Sequence, residues 1–284
     1  MRIQFIIAGV VLLVLYSVLL VITMRTPRND RIWEHAFSRT PYFETLSAKD
    51  MVLREMRDFE FGKDGAPFKQ QWVDQIINRE DLAEIWFFIE PFESWDGAAH
   101  SFLSFVFDGE TAQTISISVE ARKEEGETYS GLRGAFNAYE LIYQWSTEKD
   151  ILSRIAVGLD HELYAYRLDI TPEQTRIVFN HFVDRTNQLR NQPRFYNTLT
   201  SNCTNELAKA VNSAFPGALP WHYSHVLTGY AAEHLYARDL IDGAQSFSAL
   251  KADAAIGDLV RAHSGADTAA FPKDWRQAVS RRSE

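Results

Sequence analysis

HSFLSFVF (residues 100–107) and TISISVEA (residues 114–121), joined by a turn around Asp108-Gly109, decide how the chain is read. Leu103, Phe105, Ile115, Ile117 and Val119 at odd positions are apolar, whereas His100, Ser104, Ser116, Ser118 and Glu120 occupy even ones. Strand side chains alternate between faces, so an antiparallel pairing that matches apolar faces must match even positions with even. In that register His100 lies opposite or diagonal to Glu120. Such cross-strand neighbours stand about 5 to 8 Å apart, close enough for a carboxylate to orient an imidazole.

Further short runs rich in aromatic and β-branched residues read as strands: Trp72 to Ile77, Ala83 to Ile89, Tyr139 to Trp145 and Glu162 to Ile170. Ser47 through Phe59 reads as a short helix, with Ser47 as N-cap and Asp50 in the first turn. Two later helices follow. One opens at Pro172 and runs to about Arg190; the other starts around Asn202, with Leu207, Ala210, Val211 and Ala214 on one stripe. Strands first and helices later indicate an α+β class with an antiparallel sheet packed by helices. The Arg281-Arg282 end reads as a frayed terminus.

The chain has 284 residues, 46% apolar and 24% charged, which is enough for a proper core and excludes disorder as its general state. From Ile3 to Met24 no residue is charged, so residues 1–25 read as an uncleaved transmembrane anchor; a helix of that length is about 33 Å long. A cleaved signal peptide fits less well, because Met24-Arg25-Thr26-Pro27 follows instead of small residues. Arginines on both sides leave the orientation with only a weak lean towards a cytoplasmic body. The division that follows is anchor 1–25, linker and short helix 26–69, main domain 70–235 and C-terminal extension 236–284. The net charge of −9, with residues 1–31 basic, leaves an acidic body that repels phosphate backbones and argues against nucleic-acid binding.

The one cysteine, Cys203 in TLTSNCTNELAKAVN, excludes an intrachain disulfide framework, zinc ribbons and iron-sulfur clusters. With Asn202 as N-cap, the thiol sits on a helix's first turn, where unpaired N–H groups and the dipole favour the thiolate. The same N–H groups suit an oxyanion. A small buried hydrophobe is the bland alternative. Ser201, Asn202, Thr204 and Asn205 make a poor core setting and favour a functional thiol. The constellation is then Cys203 as nucleophile, His100 as general base and Glu120 as orienting group. Against it, a strand-end histidine is commonly a surface residue, and Glu120 equally pairs with Arg122 or Lys123. His222, His225 and His234 form a weak metal-ligand pattern lacking the H-E-x-x-H spacing, and no metal is assigned to them. Glu90, Glu93 and Asp96 offer carboxylates of the glycosidase type without any spacing evidence. The Asn202-Cys203-Thr204 sequon is too loose a pattern to use. No phosphate loop, dinucleotide fingerprint or G-x-S-x-G elbow occurs, and no cofactor is called for.

IWFFIEPF (85–92), AHSFLSFVFDG (99–109), ISVEARKEEGETYS (117–130), YELIYQW (139–145) and YNTLTSNCTNEL (196–207) resemble, in order, the motifs of the Lnb N-terminal periplasmic domain family. The resemblance covers roughly residues 70–215. It implies a circularly permuted papain-like (NlpC-type) fold, histidine strand before cysteine helix. It also implies a bacterial envelope protein that N-acylates lipoproteins through a cysteine thioester; with the anchor read at residues 1–25, the expectation is a single-pass inner-membrane protein with its body in the periplasm. Cys203 would then accept the acyl group, His100 would shuttle the proton, and Ser118, Glu120, Arg122, Asn202 and Thr204 would support strand, helix or substrate. A membrane lipid or lipoprotein is the implied partner; the oligomeric state stays open. Two departures stand out: residues 216–284 hold no second span, and Thr198-Leu199-Thr200-Ser201 is less aromatic and acidic than the family pattern. A cysteine peptidase or amidase acting on cell-wall peptides, and a catalytically silent envelope scaffold, are the alternatives.

Overall fold

The computed structural model describes residues 2–92, 95–109, 112–241, 243 and 245–280. The strands are β1 (Tyr42–Thr45), β2 (Asp50–Phe61), β3 (Pro67–Asn78), β4 (Leu82–Pro91), β5 (Ala99–Phe107), β6 (Gln113–Arg122), β7 (Glu140–Thr147) and β8 (Tyr164–Arg167). The helices are α1 (Arg2–Met24), α2 (Gly131–Ala135), α3 (Glu148–Ser153), α4 (Pro172–Asn191), α5 (Cys203–Ala214), α6 (Ala231–Tyr236), α7 (Phe247–Asp253), α8 (Gly257–His263) and α9 (Phe271–Ser280). Among the described residues the strands form one sheet in the order β1-β2-β7-β6-β5-β4-β8, with β3 pairing β2.

The β5/β6 register is Phe102 with Ser118, Leu103 with Ile117 and Ser104 with Ser116, even against even as the alternation requires. Odd positions therefore bury Leu103, Phe105, Ile115 and Ile117 in a core completed by Phe179 and Phe182 of α4 and Leu207 and Val211 of α5. Phe88 and Phe102 face the other way, into a second core with Leu152 of α3, Val260 of α8 and Trp275 of α9. The sheet is thus a layer between two helical layers, each closed by a different part of the chain.

Both helices of the first layer start where their caps dictate. At α4 the Thr171 hydroxyl accepts from the Gln174 amide while the Gln174 side chain accepts from the Thr171 amide, a reciprocal cap with Pro172 just inside. At α5 the Asn202 side chain accepts from the Asn205 amide at 2.8 Å.

Four expectations change. Residues 50–61 are strand β2, not part of a helix over 47–59. The Ser47 hydroxyl accepts from the amides of Lys49 and Asp50, which turns the chain into the strand instead of opening a helix. The region read as linker consequently carries β1 and β2, both paired into the sheet. The sheet is mixed, not antiparallel, because β2 meets β7 in parallel at Arg57 and Ser146. What stands is an α+β fold with a mixed sheet, and that description replaces the circularly permuted papain-like (NlpC-type) one. The transmembrane helix over residues 1–25 is also corrected: among the described residues no helix is long and apolar enough to cross a membrane. A span needs about 20 consecutive apolar helical residues. Residues 281–282, read as frayed, lie outside the described residues.

Candidate active site

The site forms where β5 begins and β6 ends beside the start of α5. The register carries His100 alongside Glu120, with His100 Nε2 3.2 Å from Glu120 Oε1. Ser118 bridges them: its hydroxyl lies 2.6 Å from His100 Nε2 and donates to Glu120 Oε1 at 2.6 Å. With Nε2 so occupied, Nδ1 is the ring nitrogen left for another partner. Phe102 stacks beside the imidazole at 5.9 Å between ring centroids.

Cys203 is the first residue of α5, is buried, and lines the same cavity as His100, which acts on it electrostatically. Burial opposes ionisation of the thiol, but His100, joined by Ser101, brings its pKa below the ordinary 9.0. Burial likewise opposes charge on His100, yet Glu120 and Cys203 hold its pKa well above 6.5. Glu120 is pulled down to about 2: burial resists, and His100, then Arg154 and Ser118, prevail. The three groups favour thiolate, imidazolium and carboxylate together. Such a set can act chemically as a nucleophile with a proton donor beside it.

The remaining residues singled out from the sequence hold this arrangement in place. Thr204 Oγ1 lies 2.9 Å from Ser101 Oγ, tying helix to strand. Asn202 is fully engaged: beyond its cap, Nδ2 donates to the carbonyls of Thr198 and His225, both at 2.7 Å. Arg122 does not reach the thiol. Its guanidinium donates to the Phe37 carbonyl at 3.0 Å and to Thr40 at 3.0 Å, and lies over the Trp33 ring, pinning the N-terminal arm to the sheet. Burial drops its pKa to about 10.

A cavity of about 660 Å³ opens onto His100, Glu120 and Cys203. Its apolar wall includes Phe37, Phe92, Trp95, Leu159, Tyr196 and Leu227. Of its charged wall the sequence reading named Glu90 and Lys123 in other roles and missed Arg57, His161 and Arg154. Arg57 is held by Asp150 at 2.7 Å, Glu90 by His161 at 2.7 Å, Lys123 by Glu34 at 2.5 Å, and Arg154 stands near Glu120. Arg154 left one signal, a single charge inside the apolar run ILSRIAVGL (151–159). Also missed was Glu206, buried in α5. It accepts from Ser201 at 2.7 Å, Tyr143 at 2.6 Å, Lys209 at 2.6 Å and Arg194 at 3.1 Å, and locks the cysteine helix to β7.

The weaker constellations resolve differently. His222 stacks on His234 at 3.9 Å and His225 meets His234 edge-on at 6.3 Å. Burial lowers the pKa of His225, and that of His234 to about 4, so these rings are neutral; among the described residues no cluster suits a metal ion. Glu90 is committed to His161, Asp96 lies exposed in a turn, and Glu93 lies outside the described residues.

The sequence profile of the Lnb N-terminal periplasmic domain matches residues 68–229, which contain β4 through α5 and all of His100, Glu120 and Cys203. No curated protein and no solved structure matches the chain.

Proposed function

The chain belongs to the Lnb N-terminal periplasmic domain family, so its body is that of an Lnb-type envelope protein, and on that premise we propose that it moves an acyl group through a thioester on Cys203. The observation that carries this reading is the hydrogen-bonded series His100, Ser118 and Glu120 meeting Cys203 at the wall of a largely apolar cavity.

In the first half-reaction the Cys203 thiolate attacks the carbonyl of a fatty-acyl ester. A C–S bond forms, the ester C–O bond breaks, and the leaving alkoxide takes the imidazolium proton of His100. In the second, the amine of a lipoprotein attacks the thioester. Neutral His100 takes the amine proton, an amide forms and the thiolate departs. Glu120, acting partly through Ser118, keeps the imidazole oriented and raises its proton affinity. The amides of Cys203 and its neighbours on the first turn receive the oxyanion of each tetrahedral intermediate.

The test is expression in a bacterium lacking its own lipoprotein N-acyltransferase, with lipoprotein N-termini read by mass spectrometry. The wild-type chain yields N-acylated lipoproteins, and Cys203→Ser and His100→Ala yield none. Release of free fatty acid without N-acylation reassigns the second step to water. Unmodified lipoproteins together with an unacylated Cys203 in the wild type overturn the proposal.

A further inference from the structure

The charges around the cavity do not balance within the cavity. Lys123 pairs with Glu34, Arg57 with Asp150, His161 with Glu90, and His100 with Glu120. Arg154 lines the same cavity, is half-buried, and has no carboxylate within ion-pair distance among the described residues. Its charge already acts on Glu120, the carboxylate partner of His100, which lines the same cavity. It opens a stretch wound as a π-helix, Arg154–Gly158, in which the Leu159 amide reaches back to the Arg154 carbonyl at 2.9 Å. Such widened turns are uncommon and concentrate at functional sites. A half-buried guanidinium with no anion of its own favours one from outside, and its planar fork fits a phosphate through two parallel hydrogen bonds.

Building on the thioester reading, we infer that Arg154 is the specificity-determining residue of this cavity and binds the phosphate of a glycerophospholipid acyl donor. The acyl chain then lies along Phe92, Trp95, Leu159 and Leu227, and the ester between phosphate and chain comes to the thiol. The apolar wall is what separates a lipid from a peptide carboxylate as the source of the anion.

The test has a binding arm and a reaction arm, both on the full chain in detergent. In the binding arm Cys203→Ala, which is unable to form a thioester, is titrated calorimetrically with dihexanoylphosphatidylglycerol, dihexanoylglycerol, inorganic phosphate and a short peptide with a free C-terminus. The phospholipid binds best. Adding Arg154→Gln weakens it about tenfold or more, whereas Arg154→Lys, which keeps the charge, weakens it less. Inorganic phosphate competes only at much higher concentration, because it lacks the chain. Thermal melting of each variant separates a lost contact from a lost fold.

Equal affinity for phospholipid and neutral glyceride, indifference to Arg154→Gln in a folded variant, or Arg154-dependent binding of the peptide alone overturns the inference. In the reaction arm, acyl transfer from each lipid to wild-type Cys203 is read by intact mass. Acylation from both lipids alike with Arg154→Gln unaffected refutes the role of Arg154 and leaves the thioester standing. No acylation from any donor, with Arg154-dependent phospholipid binding intact, refutes the thioester and leaves the phosphate site standing.

Discussion

Replacing the Glu120 carboxylate by an amide removes the charge that keeps His100 protonated, and through His100 it acts on the thiol. The signs of the shifts fix the pH window. His100 is raised, so the stability its charge contributes is complete below about 6.5 and is lost as pH rises through its folded value. Cys203 and Glu120 are lowered, so their contributions are complete above their ordinary values and are lost as pH falls, for Glu120 through about 2. Both shifts move the thiol and the imidazole towards a thiolate-imidazolium pair. Glu120→Gln should move the acid limb of iodoacetamide labelling of Cys203 to higher pH. Labelling at neutral pH slows about tenfold for each unit that the thiol's pKa rises. Superimposable wild-type and Glu120→Gln profiles would mean that the carboxylate does not tune the thiol. At this scale the sequence was informative where periodicity or capping fixes a side chain's address: His100 and Glu120 by alternation, Cys203 by Asn202. Arg154 was not legible, because a lone charge in an apolar run says nothing of which cavity it faces.

The element that carries the nucleophile depends on how its first turn is held. Asn202 caps α5 and ties the loops of Thr198 and His225 to it, three bonds from one buried side chain. Asn202→Ala loses the cap and leaves two carbonyls without that donor. The expected loss is about 2 kcal/mol, at the upper end of cap deletions, measured by urea unfolding. Asn202→Asp keeps an acceptor for the Asn205 amide but not the donors, so a smaller loss there separates cap from loop tie. A change below about 0.5 kcal/mol in both variants would show that the first turn is held by other bonds. The same capping logic misreads Ser47, for a physical reason. A hydroxyl that accepts from amides two and three residues on serves a turn as well as a helix. The strand that follows hides its own period. Glu55 has φ of 58° and the pairing shifts between Leu53 and Met56, so the buried apolar residues 51, 52, 53, 56 and 59 fit no single alternation.

For the molecule as a whole, the α+β class was legible from strands preceding helices, but the joint between the two halves of the sheet was not. The parallel contact of β2 with β7 links residues about ninety positions apart, and no local pattern announces it. Nor does sequence position show that the C-terminal stretch closes a core. Trp275 is wholly buried, donates to Glu148 at 3.0 Å, and sits edge-on to Phe88, which stacks at 4.8 Å on Phe102, the ring beside His100. Arg276 completes the contact by pairing with the buried Glu148 at 2.6 Å. The far helical layer thus supports the strand that presents the histidine. Trp275→Ala should cost about 3–5 kcal/mol in denaturant unfolding, the range for deleting a large buried aromatic. It should unfold in a single transition if α9 belongs to the same cooperative unit as the sheet. A separate early transition, or a loss under about 1 kcal/mol, would make residues 257–280 an appendage whose packing does not bear on the site.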